Sequence, residues 1–254
     1  MRRFSALWKH QLWLMCISPS TYMAAFMFLC FMGLMYLKGL VDVSLSPNEQ
    51  SPLEMFLSVF WLPVLFMVPL LTMRSLAEER RMGTLATLMT TPVTAWQVVL
   101  AKFLASYFFY ILLWAATLLF PLIASLYLPQ AAGSKIFDAW QAATGYTFIL
   151  VSGAMYIAIG IFASSLTRTT LVAGMLSFGM LFFAIVGAGL MASFPVPDSG
   201  VLSFVGKPTD YIQTFRQLED FSSSVLDTRP FFLYISTTVL LLAVTSLVTE
   251  AKNS

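Results

Sequence analysis

Long apolar runs alternate with short polar islands along the whole chain. Six runs fit membrane-crossing helices, which need about 20 apolar residues each. They cover residues 22–40, 53–73, 98–119, 140–166, 171–194 and 231–248. Pro63 and Pro69 lie inside the second run and are expected to bend it. Such prolines are tolerated in a bilayer because neighbouring groups re-satisfy the freed carbonyls. The third run is able to continue past Pro121 towards residue 128.

Two stretches outside the runs have helical patterning of their own. In MRRFSALWKHQLWLMCISPS the residues Phe4, Leu7, Trp8, Leu12 and Met15 form one apolar stripe, with Arg2, Arg3, Lys9 and His10 adding basic character. That pattern predicts an amphipathic helix in the headgroup region, stopped by Ser18-Pro19-Ser20. The apolar part is broken too early, and lacks the small-residue cleavage site, for a signal peptide. Between the fifth and sixth runs, residues 193–230 are too many for a structureless connection. A helix start at Pro208-Thr209-Asp210, with Gln213 following, puts Tyr211, Phe215, Leu218 and Val225 near one face. Asp227-Thr228-Arg229-Pro230 is placed to cap the last run.

The most informative island is AEERRMGTLATLMTTPVTAWQ, residues 77–97. Glu78-Glu79-Arg80-Arg81 belong in water, since each charge at a helix centre costs about 2.5–3.5 kcal/mol on an insertion scale. The second helix is expected to run on to Met82 and stop at Gly83, which enters the left-handed conformation cheaply. Thr84 is placed to cap a short helix over residues 84–91 that sets Leu85, Leu88 and Met89 on one face. Thr91-Pro92 ends it. Thr94 and Gln97 then form a capping box for the third run.

Composition puts this pattern in a bilayer. Hydrophobic residues make up 59% of the 254 and charged ones 10%, against about 25% charged in soluble domains. The expected architecture is an all-α integral membrane domain spanning 1–254, with an interfacial helix (1–19), five spans (20–192), an outer segment (193–230) and a last span with a short tail (231–254). With the N-terminus inside, nine Lys and Arg fall on inner segments, Lys102 counted among them, and five on outer ones. The positive-inside rule therefore puts both termini in the cytoplasm. The cores of the six runs, so counted, carry no ionisable side chain. Ion-coupled carriers and proton pumps usually need such groups, so energy for transport is expected from outside the chain. Gly145, Gly153, Gly160, Ser164, Gly174, Gly179, Gly187 and Gly189 punctuate the fourth and fifth runs. Small residues let helices approach closely, within one subunit or at a seam between two.

Candidate chemistry is sparse. Cys16 and Cys30 have neither metal nor redox spacing. His10 is the sole histidine. Neither HExxH nor GxSxG occurs, so no catalytic or metal residue is assigned. The phosphate-loop pattern GxxxxGK[ST] is also missing, since Gly206-Lys207-Pro208 lacks both the upstream glycine and the hydroxyl. No enzymatic activity, bound cofactor or nucleic-acid partner is expected of this chain.

The segment MRSLAEERRMGTLATLMTTPVTAWQVVLAKFLASY resembles the cytoplasmic loop of ABC-2 type exporter permeases. It is most similar to the gliding-motility subfamily, as is the tail DFSSSVLDTRPFFLYISTTVLLLAVTSLV. The resemblance implies a bacterial inner-membrane permease subunit that pairs with a second, identical or different, permease subunit. The pair sits on two copies of a separate ATPase that binds ATP and Mg. Residues 84–91 would be the coupling helix, with Glu78, Glu79, Arg80, Gly83, Thr84, Leu85, Leu88, Met89, Thr91 and Pro92 at the ATPase interface. Tyr211, Phe215, Leu218 and Val225 would belong to short extracytoplasmic helices that close the outer end of the pathway. Ala86, Ala95 and Ala101 depart from the family pattern, the first two where polar or acidic residues are usual. A relative that transmits force to a periplasmic machine, without moving a solute, is the alternative function.

Overall fold

The computed structural model describes residues 2–45, 52–84, 94–127, 139–187 and 229–251. Among the described residues every regular element is helical. In chain order these are α1 (Arg2–Ile17), α2 (Pro19–Leu45), α3 (Pro52–Ser58), α4 (Trp61–Thr72) and α5 (Ala77–Met82). There follow α6 (Ala95–Thr117), α7 (Leu119–Tyr127), α8 (Ala139–Leu166), α9 (Thr170–Phe182) with a π-helical turn at Phe183–Gly187, and α10 (Arg229–Ala251). Six stretches are long and apolar enough to cross a membrane: Pro19–Asp42, Trp61–Met82, Ala95–Ala124, Ala139–Leu166, Thr170–Gly187 and Pro230–Ala251.

Proline chemistry sets several boundaries. Pro19 and Pro52 each open a helix, where the missing N–H has no intrahelical partner to lose. Inside a helix, proline removes one bond and its ring crowds the carbonyl four residues earlier. The second run, expected as one helix over 53–73, accordingly breaks at Val59 and Phe60, just upstream of Pro63. Tighter bonds close the break: Phe60 N–H donates to the Leu57 carbonyl at 3.1 Å and Leu62 N–H to that of Val59 at 3.3 Å. The membrane-length stretch starts only at Trp61 and takes in α5. Pro121 acts likewise, with a turn at Leu118 and α7 continuing the third run as its sequence suggests. Pro69, by contrast, sits inside α4 without breaking it.

The spans are not equivalent. In the most apolar window of the fourth stretch 72% of residues are buried, and in that of the second 61%, against 22–33% in the other four. The bundle is thus built around α8 and α4. On α8, Gly145, Gly153 and Gly160 each accept a side chain: Leu57, Tyr110 and Thr72 respectively. An added Cβ at any of the three would overlap that neighbour. These glycines serve packing within the chain, whereas Gly179 on α9 faces open space. Aromatic contacts fill the rest. Trp114 is fully buried and meets Phe28 edge-on, with ring centroids 5.0 Å apart, and Tyr146 at 6.0 Å. Phe148 links Phe60 to Tyr234.

The stripe on α1 points inward. Met15 is buried, and Phe4, Leu7, Trp8 and Leu12 are partly buried, with α1 packed along α6. Lys9 and His10 are exposed. The apolar stripe of the amphipathic helix therefore packs on the bundle. A second patch, Trp13, Leu14 and Ile17, is the exposed one.

Candidate functional site

Four parts of the bundle meet at the charged end of the second span. The ladder of α4 stops at Thr72 although no proline follows it there. Between Met73 and Leu76 the hydroxyl of Ser164, on α8, enters the backbone ladder. It accepts the N–H groups of Leu76 and Ala77, each at 3.0 Å, and donates to the Met73 carbonyl at 3.2 Å. One hydroxyl thus uses its donor and both acceptor sites. Insertion of a side chain into the i→i−4 ladder is a recognised cause of a sharp kink.

Charge then ties α5 to its surroundings. Arg74 grips Glu78 with two parallel bonds, Nε to Oε2 at 2.7 Å and Nη2 to Oε1 at 2.8 Å. Its Nη1 donates to Ser18 Oγ at 3.1 Å, at the corner between α1 and α2. The planar guanidinium suits this forked geometry in a way an ammonium does not. From α6, Lys102 Nζ reaches Glu79 Oε1 at 2.6 Å, the Ser75 carbonyl at 2.7 Å and Gln11 Oε1 at 3.5 Å. Its side chain is 3% exposed. Arg80 Nη1 donates to the Ser165 carbonyl at the end of α8. Within α5, Ala77 and Arg80 are thus held by α8 and Glu79 by α6, while Glu78 reaches the corner between α1 and α2 only through Arg74.

Lys102 corrects the sequence reading. Counted there among inner-segment charges, it lies in the third turn of α6, buried, with its charge matched by Glu79. A buried ammonium persists only when paired and hydrogen-bonded, and the geometry supplies both. The signal was present in the sequence as a single lysine inside an apolar helix, a pattern that merits a named partner. The sequence marks Ser164 only as one small residue among the glycines, with no sign of its backbone partners.

The exit from α5 follows the sequence closely. Gly83 adopts φ +72°, and its N–H donates to the Arg80 carbonyl at 3.3 Å. The Thr84 hydroxyl donates back to the Glu79 carbonyl at 3.3 Å. At the far side of the connection Thr94 and Gln97 form the expected capping box, each side chain meeting the other's N–H at 3.4 Å. Ala95 and Ala101 are both buried in α6. Of the assigned interface residues, Glu78, Glu79, Arg80, Gly83 and Thr84 are brought together here. Leu85, Leu88, Met89, Thr91 and Pro92 lie outside the described residues, as do Tyr211, Phe215, Leu218 and Val225.

The family model for ABC-2 family transporter proteins matches residues 24–253. The chain belongs to that family. A search of curated proteins finds no match. Membership and the six apolar stretches together make this a multi-pass membrane protein of the ABC-2 permease type. Members of the ABC-2 family generally work with an ABC ATPase partner. The charged node thus lies beside the connection between the second and third spans of an ABC-2 permease.

Proposed function

We propose that the chain is the membrane-spanning subunit of an ATP-driven exporter, coupled to a separate ATPase through residues 78–92. The observation that carries this reading is the node itself. A six-residue helix is fastened to α6 and α8 and, through Arg74, to the corner between α1 and α2, and residues 84–94 follow it directly in the chain. Work delivered to that connection passes through α5 into α6 and α8, and through Arg74 to the α1–α2 corner. Leu85, Leu88 and Met89 are the apolar side chains offered to the ATPase, with Glu78, Glu79, Arg80, Gly83, Thr84, Thr91 and Pro92 setting their placement. ATP and Mg belong to that partner, in two copies. The likeness to gliding-motility permeases favours a second, different permease subunit beside this one. The node, and both termini, are on the cytoplasmic face of a bacterial inner membrane. Tyr211, Phe215, Leu218 and Val225 belong to the outer end of the pathway.

Affinity capture of the tagged chain from its native membranes tests the assignment. An ATPase subunit is expected in the complex, and Leu88→Asp is expected to release it while the chain stays in the membrane. Recovery of an intact, active assembly with no ATPase would contradict it.

A further inference from the structure

The two carboxylates of the charged node are already committed. Both oxygens of Glu78 take the Arg74 fork, and Glu79 holds Lys102. Three arginines beside them are left over: Arg80 and Arg81 on α5, and Arg168 in the link between α8 and α9. None of the three makes an ion pair among the described residues. Packing brings them to one corner. α5 rests against α9, Arg80 donates to the carbonyl of Ser165, and the charges of Arg80 and Arg168 act on each other. The rest of the Arg80 guanidinium, Nε and Nη2, is enclosed and unpaired. Arg80 therefore offers an outside group its charge and no bond. Arg81 and Arg168 are exposed and are free to supply bonds.

The same corner adjoins the bilayer. The fifth membrane-length stretch begins at Thr170, just after Arg168, which puts Arg168 at headgroup depth. From there Leu171, Met175, Phe178 and Phe182 recur at helical spacing, along one face of α9. They are 68%, 69%, 36% and 43% exposed. A cationic cluster with an apolar track running from it into the membrane fits an anionic amphiphile.

We propose that Arg80, Arg81 and Arg168 form a site for the headgroup of an anionic phospholipid, of the phosphatidylglycerol class, with an acyl chain lying along Leu171 and Met175. The exposed guanidinium groups of Arg81 and Arg168 donate to the phosphate oxygens, for which their forked geometry is suited. A zwitterionic headgroup brings the same phosphate together with a cation, which the three arginines repel. An acidic protein surface matches the charge but not the apolar track. The assignment stands on this corner and is independent of the ATPase-coupling proposal.

Native mass spectrometry on the full chain, released from nanodiscs of equal parts phosphatidylglycerol and phosphatidylcholine, reads the preference directly. Retention of phosphatidylglycerol is expected to exceed that of phosphatidylcholine by roughly tenfold or more, each arginine near the membrane surface contributing about fivefold. Arg81→Gln and Arg168→Gln, both at exposed positions, should each lower the preference by about that factor. Lys9→Gln removes the same charge from an exposed position on α1 and should leave the preference unchanged. Equal retention of both lipids by the unaltered chain would overturn the proposal. So would equal losses in all three variants, which would mean diffuse attraction to a basic surface and no site. Inorganic phosphate at the concentration of the lipid should not displace it, and displacement would overturn the assignment to a lipid. An acidic ATPase surface as the true occupant would show itself by an absent lipid preference in the chain freed of ATPase, with ATPase lost from the Arg168→Gln complex.

Discussion

The second span is broken twice, and the two breaks have different causes. At Val59 and Phe60 the cause is covalent: Pro63 has no N–H to give, and its ring crowds the chain behind it. At Met73–Leu76 the cause is a hydroxyl 88 residues away in sequence, from Ser164. The first break persists whatever its neighbours do. The second lasts only while α8 stays where it is. Thr72, Met73, Leu76 and Ala77 retain the backbone groups to close a continuous helix if Ser164 withdraws. The conditional break is also the one that adjoins the charged node and the connection to the third span. A joint that transmits work has to be reversible, and of the two breaks only this one rests on a contact that a movement of α8 would undo.

The largest effect should come from the charges that hold the conditional break in place. Glu79→Ala leaves Lys102 as a buried ammonium without its counter-charge, and breaking a buried pair costs about 3–5 kcal/mol. The expected outcome is a clear loss of thermal stability in detergent, partly restored by adding Lys102→Met. Additive losses in the double variant would mean that the two do not act as a pair.

Ser164→Ala should come next. It strips the acceptor from two buried N–H groups, at about 1–3 kcal/mol for each group left unsatisfied. The helix is expected to respond by healing, with Leu76 N–H pairing to Thr72. Slowed amide exchange at Leu76 and Ala77, alongside weakened coupling of ATP use to transport, is the predicted signature. Faster exchange there with coupling intact would remove Ser164 from the account.

Pro63→Ala sharpens the contrast from the other side. The new N–H is able to pair with the Val59 carbonyl, so stability should change by less than about 1 kcal/mol, within the range of compatible proline exchanges. Coupling should not change. Smallest of all is Arg74→Lys, which gives up the fork to Glu78. The pair is partly exposed, with side chains 39% and 22% accessible, and such pairs contribute about 0–1 kcal/mol.

This difference between the breaks also explains what the sequence could reveal. The spans were legible because apolar runs of bilayer length have few other uses. Gly83 and the Thr94–Gln97 capping box were legible because each is a local signal, read within four residues. Pro63 announced a bend, though its position upstream and the shifted start of the membrane-length stretch needed the backbone. Ser164 was legible only as a small residue that lets helices approach: its backbone partners lie 87–91 residues away, beyond any local signal. Lys102 was visible but assigned to water, because a charge count treats a lysine near a helix start as a loop residue. The stripe on α1 was read correctly as amphipathic, but periodicity states which face is apolar and not that α6 covers it.

The central claim is that the Ser164-held break is the joint through which the chain receives work. Spin-label distances within the assembled complex test it most directly. With Cys16 and Cys30 replaced by serine, one label pair at Met82 and Leu166 reads α5, beyond the conditional break, against the end of α8 that carries Ser164. A second pair at Ser58 and Thr147 sets the end of α3, beside the proline break, against α8 and is expected to stay fixed. On adding a non-hydrolysable ATP analogue, the Met82–Leu166 distance should shift by on the order of 2–5 Å, the scale of helix shifts in switching proteins, while the Ser58–Thr147 distance holds. No shift at Met82–Leu166 in a complex that binds the nucleotide, or an equal shift in both pairs, would contradict the account.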